Sequence, residues 1–313
     1  ICDQAGECTL QEYSVEHGKG ESRFLENKVK KPKNVDIGPR IRLDDERCVL
    51  CSRCVRFTRE IVDDDVLGFV DRGSHSVLTV HPDKPLANNY SLNTVDICPV
   101  GALTSNDFRF KMRVWFMRET KSVCNGCARG CNILISSREN KIYRQTPREN
   151  NEVNSSWMCD SGRLNYHFLE SGARLTDPMI KKGKSHETVD WPQAIRRAAE
   201  GLLKYKGDEI AIIASARMTN EELYLVRVLA DTLGTRNVDT LKCHGEGDNY
   251  LSHEDKRPNT NGAKVILKLS SPGSKINSIK RGIESGSIKA LLVYGENIVS
   301  KGFDDGVLSN LKF

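Results

Sequence analysis

Eight of the eleven cysteines fall into two groups of four. The first runs Arg47-Cys48-Val49-Leu50-Cys51-Ser52-Arg53-Cys54 and closes at Cys98-Pro99. In the second, Cys124, Cys127 and Cys131 stand at gaps of two and three residues, and Cys159 follows after 27 more. Thiols so spaced converge on one centre, and thiolates are the preferred ligands of iron–sulfur clusters. Four thiolates also suit structural zinc, the competing chemistry for both sets. Disulfide frameworks belong to smaller, cysteine-denser secreted scaffolds. Here the last 150 residues hold only Cys243. Two cluster sites in series imply one-electron transfer.

The first set resembles a bacterial ferredoxin that has kept one of its two clusters. A two-cluster ferredoxin places a further cysteine four residues after the third, and here that position is Thr58. Cys98-Pro99-Val100-Gly101-Ala102-Leu103 resembles the family's closing C-P-x-G-A-L segment and supplies the fourth ligand. Arg47, Arg53 and Arg56 flank this set as cations able to raise a cluster potential, or as solvated surface groups.

The second set is similar to the N-terminal cluster domain of molybdopterin oxidoreductases. Cys159-Asp160-Ser161-Gly162-Arg163 matches their C-x-[KR]-G-R ending except at Ser161, where catalytic members carry a basic residue between cluster and pterin. A third motif, Ile1-Cys2-Asp3-Gln4-Ala5-Gly6-Glu7-Cys8, resembles the end of an H-x3-C-x2-C-x5-C cluster motif, in which one histidine and three cysteines are the ligands. Its histidine and first cysteine would precede Ile1, so the sequence reads as cut at the front, and its last residues look cut too.

The order of these motifs resembles the family of large iron–sulfur subunits of bacterial respiratory complex I, the proton-translocating NADH:quinone oxidoreductase. The resemblance implies an electron relay with two complete four-iron sites, Cys48/Cys51/Cys54/Cys98 and Cys124/Cys127/Cys131/Cys159. It also implies part of a one-histidine, three-cysteine site at Cys2 and Cys8. The first complete site would lie on the wire from flavin to quinone, and the second would lie off it. A two-iron cluster is expected only ahead of Ile1, no molybdopterin is expected, and no residue is assigned a substrate-level catalytic role. Partners would be the flavin subunit and downstream iron–sulfur subunits, on the cytoplasmic side of the bacterial inner membrane, peripherally bound. The rivals are the catalytic subunit of an NAD-linked molybdopterin formate dehydrogenase and a zinc-stabilised assembly module.

The elements that must position these cysteines follow from periodicity. We expect α+β ferredoxin-like iron–sulfur modules followed by part of an α/β molybdopterin-oxidoreductase-like domain. The divisions are 1–43 (remnant site plus linker), 44–113, 114–173 and 174–313. Val66–Val70 with Ser76–Val80, and Asn132–Ser136 with Lys141–Gln145, read as hairpins. Beyond residue 174, Asp190 caps a helix with the apolar stripe Trp191, Ala194, Ile195, Ala198 and Leu202. Thr219 and Glu222 form a capping box, and Glu209–Ala214, Val265–Leu269 and Ile288–Tyr294 read as strands of a parallel sheet.

Composition narrows function further. With 47 basic and 42 acidic side chains the charge of +5 is too small to argue for nucleic acid. The longest apolar runs are too short to span a bilayer. Glycines at 245, 247 and 295 lack the dinucleotide-binding order, and Cys243-His244 reads as a loop pair.

Overall fold

Ile41 and Leu43 alternate with Arg42, and this period of two places both apolar side chains on one face of a small antiparallel sheet. The computed structural model describes residues 2–183, 185–248 and 250–313. The chain divides into two compact units. The first is Ile1–Cys124, Arg129–His167 and Asp248–Ser252; the second is Asn125–Ala128, Phe168–Gly247 and His253–Phe313.

The first unit opens with helix α1 (Thr9–His17). Strands β1 (Val35–Gly38), β2 (Ile41–Leu43) and β5 (Leu103–Ser105) form a sheet with β2 central. Between β2 and β5 lie α2 (Arg53–Arg56), the hairpin β3 (Leu67–Val70) with β4 (Val77–Val80), and α3 (Asn93–Ile97). Ile41, Leu43, Leu67, Leu78, Leu92 and Leu103 share one core with the Cys54 side chain. The stretch 1–43, expected as remnant site plus linker, thus contains two strands. Its polar composition hid Ile37, Ile41 and Leu43, which are almost fully buried.

Strands β6 (Arg118–Val123), β7 (Asn132–Arg138) and β8 (Lys141–Pro147) form an antiparallel meander, and the short helix α4 (Asp160–Arg163) follows Cys159. Both expected hairpins are present, and β6 adds a third strand to the second.

The second unit has an exposed hairpin, β9 (Met179–Lys182) with β10 (Ser185–Thr188), then α5 (Trp191–Leu202). Its sheet has the parallel order β12 (Asn237–Thr240), β11 (Ile210–Ala214), β13 (Ala290–Val293). Every residue of β11 is buried, as a central parallel strand covered on both faces requires. Helices α6 (Asn220–Leu233), α7 (Thr260–Ile266), α8 (Ile276–Glu284) and α9 (Asp305–Leu308) surround it. The Thr219–Glu222 capping box opens α6, and Gly234, in the left-handed conformation at φ +70°, closes it.

One expectation fails here. Val265–Leu269 is not a strand, because α7 runs through Ile266. Ala263 and Leu267, four residues apart, are the buried positions, while Val265 is 75% exposed. A short apolar run does not distinguish the two periods. The helix expected over the α5 stripe is present, with Trp191 67% and Ile195 62% exposed on it. Asp190 does cap the helix, accepting from the Gln193 amide at 2.8 Å. Only the last turn packs, where Leu202 joins Ile210 and Ala290.

Candidate iron–sulfur sites

Cys48, Cys51 and Cys54 wind around a tight loop before α2. Leu50 (φ +52°) and Ser52 (φ +59°) adopt left-handed backbone on either side of Cys51. This conformation costs ordinary residues about 1–2 kcal/mol each and turns the loop sharply. The Leu50 amide donates to Cys48 Sγ at 3.4 Å. Helix α3 delivers Cys98 from the other side. Amides of Val100, Leu103 and Ala102 donate to its sulfur. Burial pushes the Cys54 thiol up to about 12, and charge on Cys98, Cys48 and Cys51 adds to the rise. Cys48 and Cys98 are raised also, burial being the main cause in each. The structure therefore brings all four members of the first set together. Binding a metal centre must displace their protons.

In the second set, Cys124, Cys131 and Cys159 are buried in the first unit. The Cys124 amide donates to the Cys131 carbonyl at 2.8 Å. Cys159 caps α4, with Gly162 N donating to its Sγ at 3.3 Å and Ser161 Oγ at 3.4 Å. A Cβ at Gly162 would lie 3.1 Å from both Cys124 Sγ and Cys159 Sγ, so the glycine is what lets α4 approach. Cys127 is half-buried in Asn125–Ala128, which belongs to the second unit.

Cys2 and Cys8 lie against the closing segment of the first set. Cys8 Sγ donates to the Pro99 carbonyl at 3.8 Å and packs with Val100, Ala102, Cys48 and Cys98. A Cβ on Gly101 would stand 2.1 Å from Cys2 Sγ. Nothing in the residue spacing signals this adjacency. Ile1, part of the same motif, lies outside the described residues.

None of the eleven cysteines is in a disulfide. Among the described residues no group of three or more His, Cys, Asp or Glu side chains is placed where it could hold a metal ion. All-thiolate donors with backbone amides aimed at sulfur suit an iron–sulfur cubane.

Thr58, in place of the extra ferredoxin cysteine, is fully buried and donates to the Val55 carbonyl at 3.1 Å. Arg53 and Arg56 are exposed beside a cleft of about 530 Å³ that also reaches Cys98. Arg47 is half-buried and pairs with Asp44 at 3.2 Å.

Sequence reasoning missed the polar groups behind the ligands. Asp160 is buried, accepting from Ser91 Oγ at 2.5 Å and Leu92 N at 3.0 Å. Arg163 donates to both oxygens of Asp96. The only available signal was their nearness to Cys159 and Cys98.

In the second unit, Ser215 and Glu296 follow the carboxyl ends of β11 and β13, the side of a parallel sheet on which ligands commonly bind. There Ser215 Oγ donates to Glu296 at 2.9 Å, and Arg257 pairs with the same buried carboxylate at 2.5 Å. The polar groups at this point are engaged with one another.

Fold and sites define a class: ferredoxin-like iron–sulfur domains followed by a molybdopterin-oxidoreductase domain. Residues 38–104 match the family model "NADH-quinone oxidoreductase subunit 3, ferredoxin-like domain", 117–167 match "NADH-ubiquinone oxidoreductase NDSU1/NuoG-like, 4Fe-4S domain", and 174–257 match "Molybdopterin oxidoreductase". The chain is a homologue of the G subunit of NADH-quinone oxidoreductase. It is 36% identical to that protein of Streptomyces coelicolor over 237 residues, 74% of this chain and 28% of the relative. Identity to the Rickettsia felis protein is 37%, covering 76% and 35%. For Mycobacterium tuberculosis the figures are 35%, 76% and 30%. The chain thus spans about a third of the length of these relatives. An NAD+-reducing [NiFe]-hydrogenase structure in the H2-reduced state matches 36% of this chain and 49% of its own at 27% identity, with a TM-score of 0.31. Among the described residues no helix is long and apolar enough to cross a membrane.

Proposed function

We propose that the chain relays single electrons as the iron–sulfur subunit of an NADH:quinone oxidoreductase, from the flavin subunit toward quinone. One observation carries this reading most directly: Cys8 of the third motif rests on Pro99, next to Cys98 of the first set. Two sites so placed suit transfer from one to the next. Cys48, Cys51, Cys54 and Cys98 would hold one four-iron cluster, and Cys124, Cys127, Cys131 and Cys159 another. Cys2 and Cys8 would supply half of a one-histidine, three-cysteine site. A bound cluster supplies reversible one-electron storage. The protein's part is to hold the thiolates, donate amides to sulfur and keep water from the buried side.

The ferredoxin-like fold would cover residues 44–113, the second cluster domain 114–173 and the α/β domain 174–313, after the remnant in 1–43. We propose no molybdopterin. The Arg257–Glu296 pair at the strand ends and Ser161 at the usual basic position both support that. The protein would bind the flavin and downstream iron–sulfur subunits, peripherally, on the cytoplasmic face of the inner membrane.

Anaerobic iron, sulfide and molybdenum analysis of the full-length protein, with EPR after dithionite reduction, tests the reading. Residues 48–159 should contribute about eight irons in two four-iron signals, with no molybdenum. Stoichiometric molybdenum would instead favour the formate dehydrogenase reading, and zinc without sulfide the structural one.

A further inference from the structure

Each cysteine motif of the first unit carries one member of an ion-pair network in which the arginines are largely buried and the carboxylates reach solvent. Glu7 precedes Cys8 of the third motif. Its carboxylate takes two hydrogen bonds from Arg144 on β8, at 2.9 and 2.8 Å. Asp96 sits two residues before Cys98 of the first set. Its carboxylate takes a bidentate pair from Arg163, which closes the α4 turn opened by Cys159 of the second set. Arg163 also donates to the Gln145 carbonyl at 3.4 Å, so both arginines meet on adjacent residues of β8. Arg144 and Arg163 are largely buried, at 18% and 9% side-chain exposure.

The geometry is that of a brace. A planar guanidinium holding both carboxylate oxygens fixes direction as well as distance. Two such pairs sharing one strand constrain three ligand loops together. Two cations balance two anions, so removing a carboxylate leaves a largely buried guanidinium unpaired.

We infer that Asp96–Arg163 and Glu7–Arg144 are positioning pairs that hold the three cysteine motifs in one frame and balance charge beside the first cluster. This rests on the relay reading above. A cluster potential responds to the net charge around it. Loss of the Arg163 cation leaves Asp96 unbalanced near Cys98 and disfavours the reduced, more negative state. Loss of the Asp96 charge does the opposite.

The test is redox-titrated EPR on the full-length protein in its purified complex, with iron and sulfide content measured alongside. Arg163→Gln should lower the midpoint potential of the Cys48–Cys98 cluster. Asp96→Asn should raise it. The double variant should return toward the parent. A residue that merely supports folding would not give shifts of opposite sign at unchanged iron content. Both variants shifting the same way, or neither shifting, would overturn the inference. Should Arg163→Gln lose iron, Arg163→Lys decides: it keeps the charge and one bond, so retained iron at the parental potential supports the brace and lost iron overturns it. Absence of any four-iron signal from the parent would instead refute the relay reading.

Discussion

Asn93 satisfies both backbone groups of Met158: its Nδ2 donates to the Met158 carbonyl at 2.8 Å, and its Oδ1 accepts from the Met158 amide at 3.0 Å. Both residues are fully buried. Asn93 begins the helix that delivers Cys98, and Met158 precedes Cys159. One side chain therefore ties together the closing ligands of both complete cysteine sets. Removing a partner from a buried polar group costs about 1–3 kcal/mol, and two groups are at stake. Asn93→Ala should destabilise the first unit by roughly 2–4 kcal/mol in denaturant melts. A loss below about 0.5 kcal/mol, the level of a neutral surface change, would remove the role assigned to this contact.

Thiol chemistry should separate the ligands of the first set. Thiolate is the nucleophile, and burial holds the Cys54 thiol at about 12, whereas Cys51 is exposed. In metal-free protein near neutral pH, iodoacetamide should label Cys51 first and Cys54 last of the four, as read by mass spectrometry. Equal rates at the two positions would contradict the buried geometry.

Two glycines mark where backbone and sulfur meet. Gly162→Ala places a methyl 3.1 Å from Cys124 Sγ and Cys159 Sγ, and Gly101→Ala places one 2.1 Å from Cys2 Sγ. The first should reduce occupancy of the second cluster while the Cys48–Cys98 signal stays. The second should push Cys2 away and weaken the signal of the histidine-ligated site in the full-length protein. Iron content and EPR amplitudes report both.

Acid stability has an identifiable contributor in Asp64. Burial pushes its carboxyl up, but bonds from Lys84 at 2.7 Å and Asn88 at 2.8 Å outweigh this and hold it below the usual carboxylate range. A carboxylate held low in the fold stabilises it above its unfolded pKa, and that support is lost as pH falls through the folded value. Lys84 is half exposed, so the effect is about 0.2–1 kcal/mol. Thermal melts of Asp64→Asn should fall under the parent at about pH 6 and converge on it as pH drops through the folded carboxyl's depressed value. A deficit independent of pH would point to lost packing instead.

Thr219 supports the second unit locally. Its hydroxyl accepts from Glu222 N at 3.2 Å while Glu222 bonds back to its amide at 2.8 Å. Thr219→Ala should cost about 0.5–2 kcal/mol. Chemical denaturation monitored by circular dichroism would show it as a lower midpoint with unchanged slope.

The Asp190 and Thr219 caps, both hairpins and the alternation of helix and strand in the second half were legible in the residues alone. These features are local: a cap or a hairpin is written in residues a few positions apart. Features that depend on distant partners were settled only when the chain folded. Val265 became part of a helix, because Ala263 and Leu267 found a common core face. Trp191 and Ile195 stayed exposed, because only the last turn of their helix packs. Folding set Cys8 on Pro99 across 91 residues and Arg163 on Asp96 across 67. No spacing rule encodes such pairings. They arise when separate segments close around one interior, where each buried charge must meet its opposite.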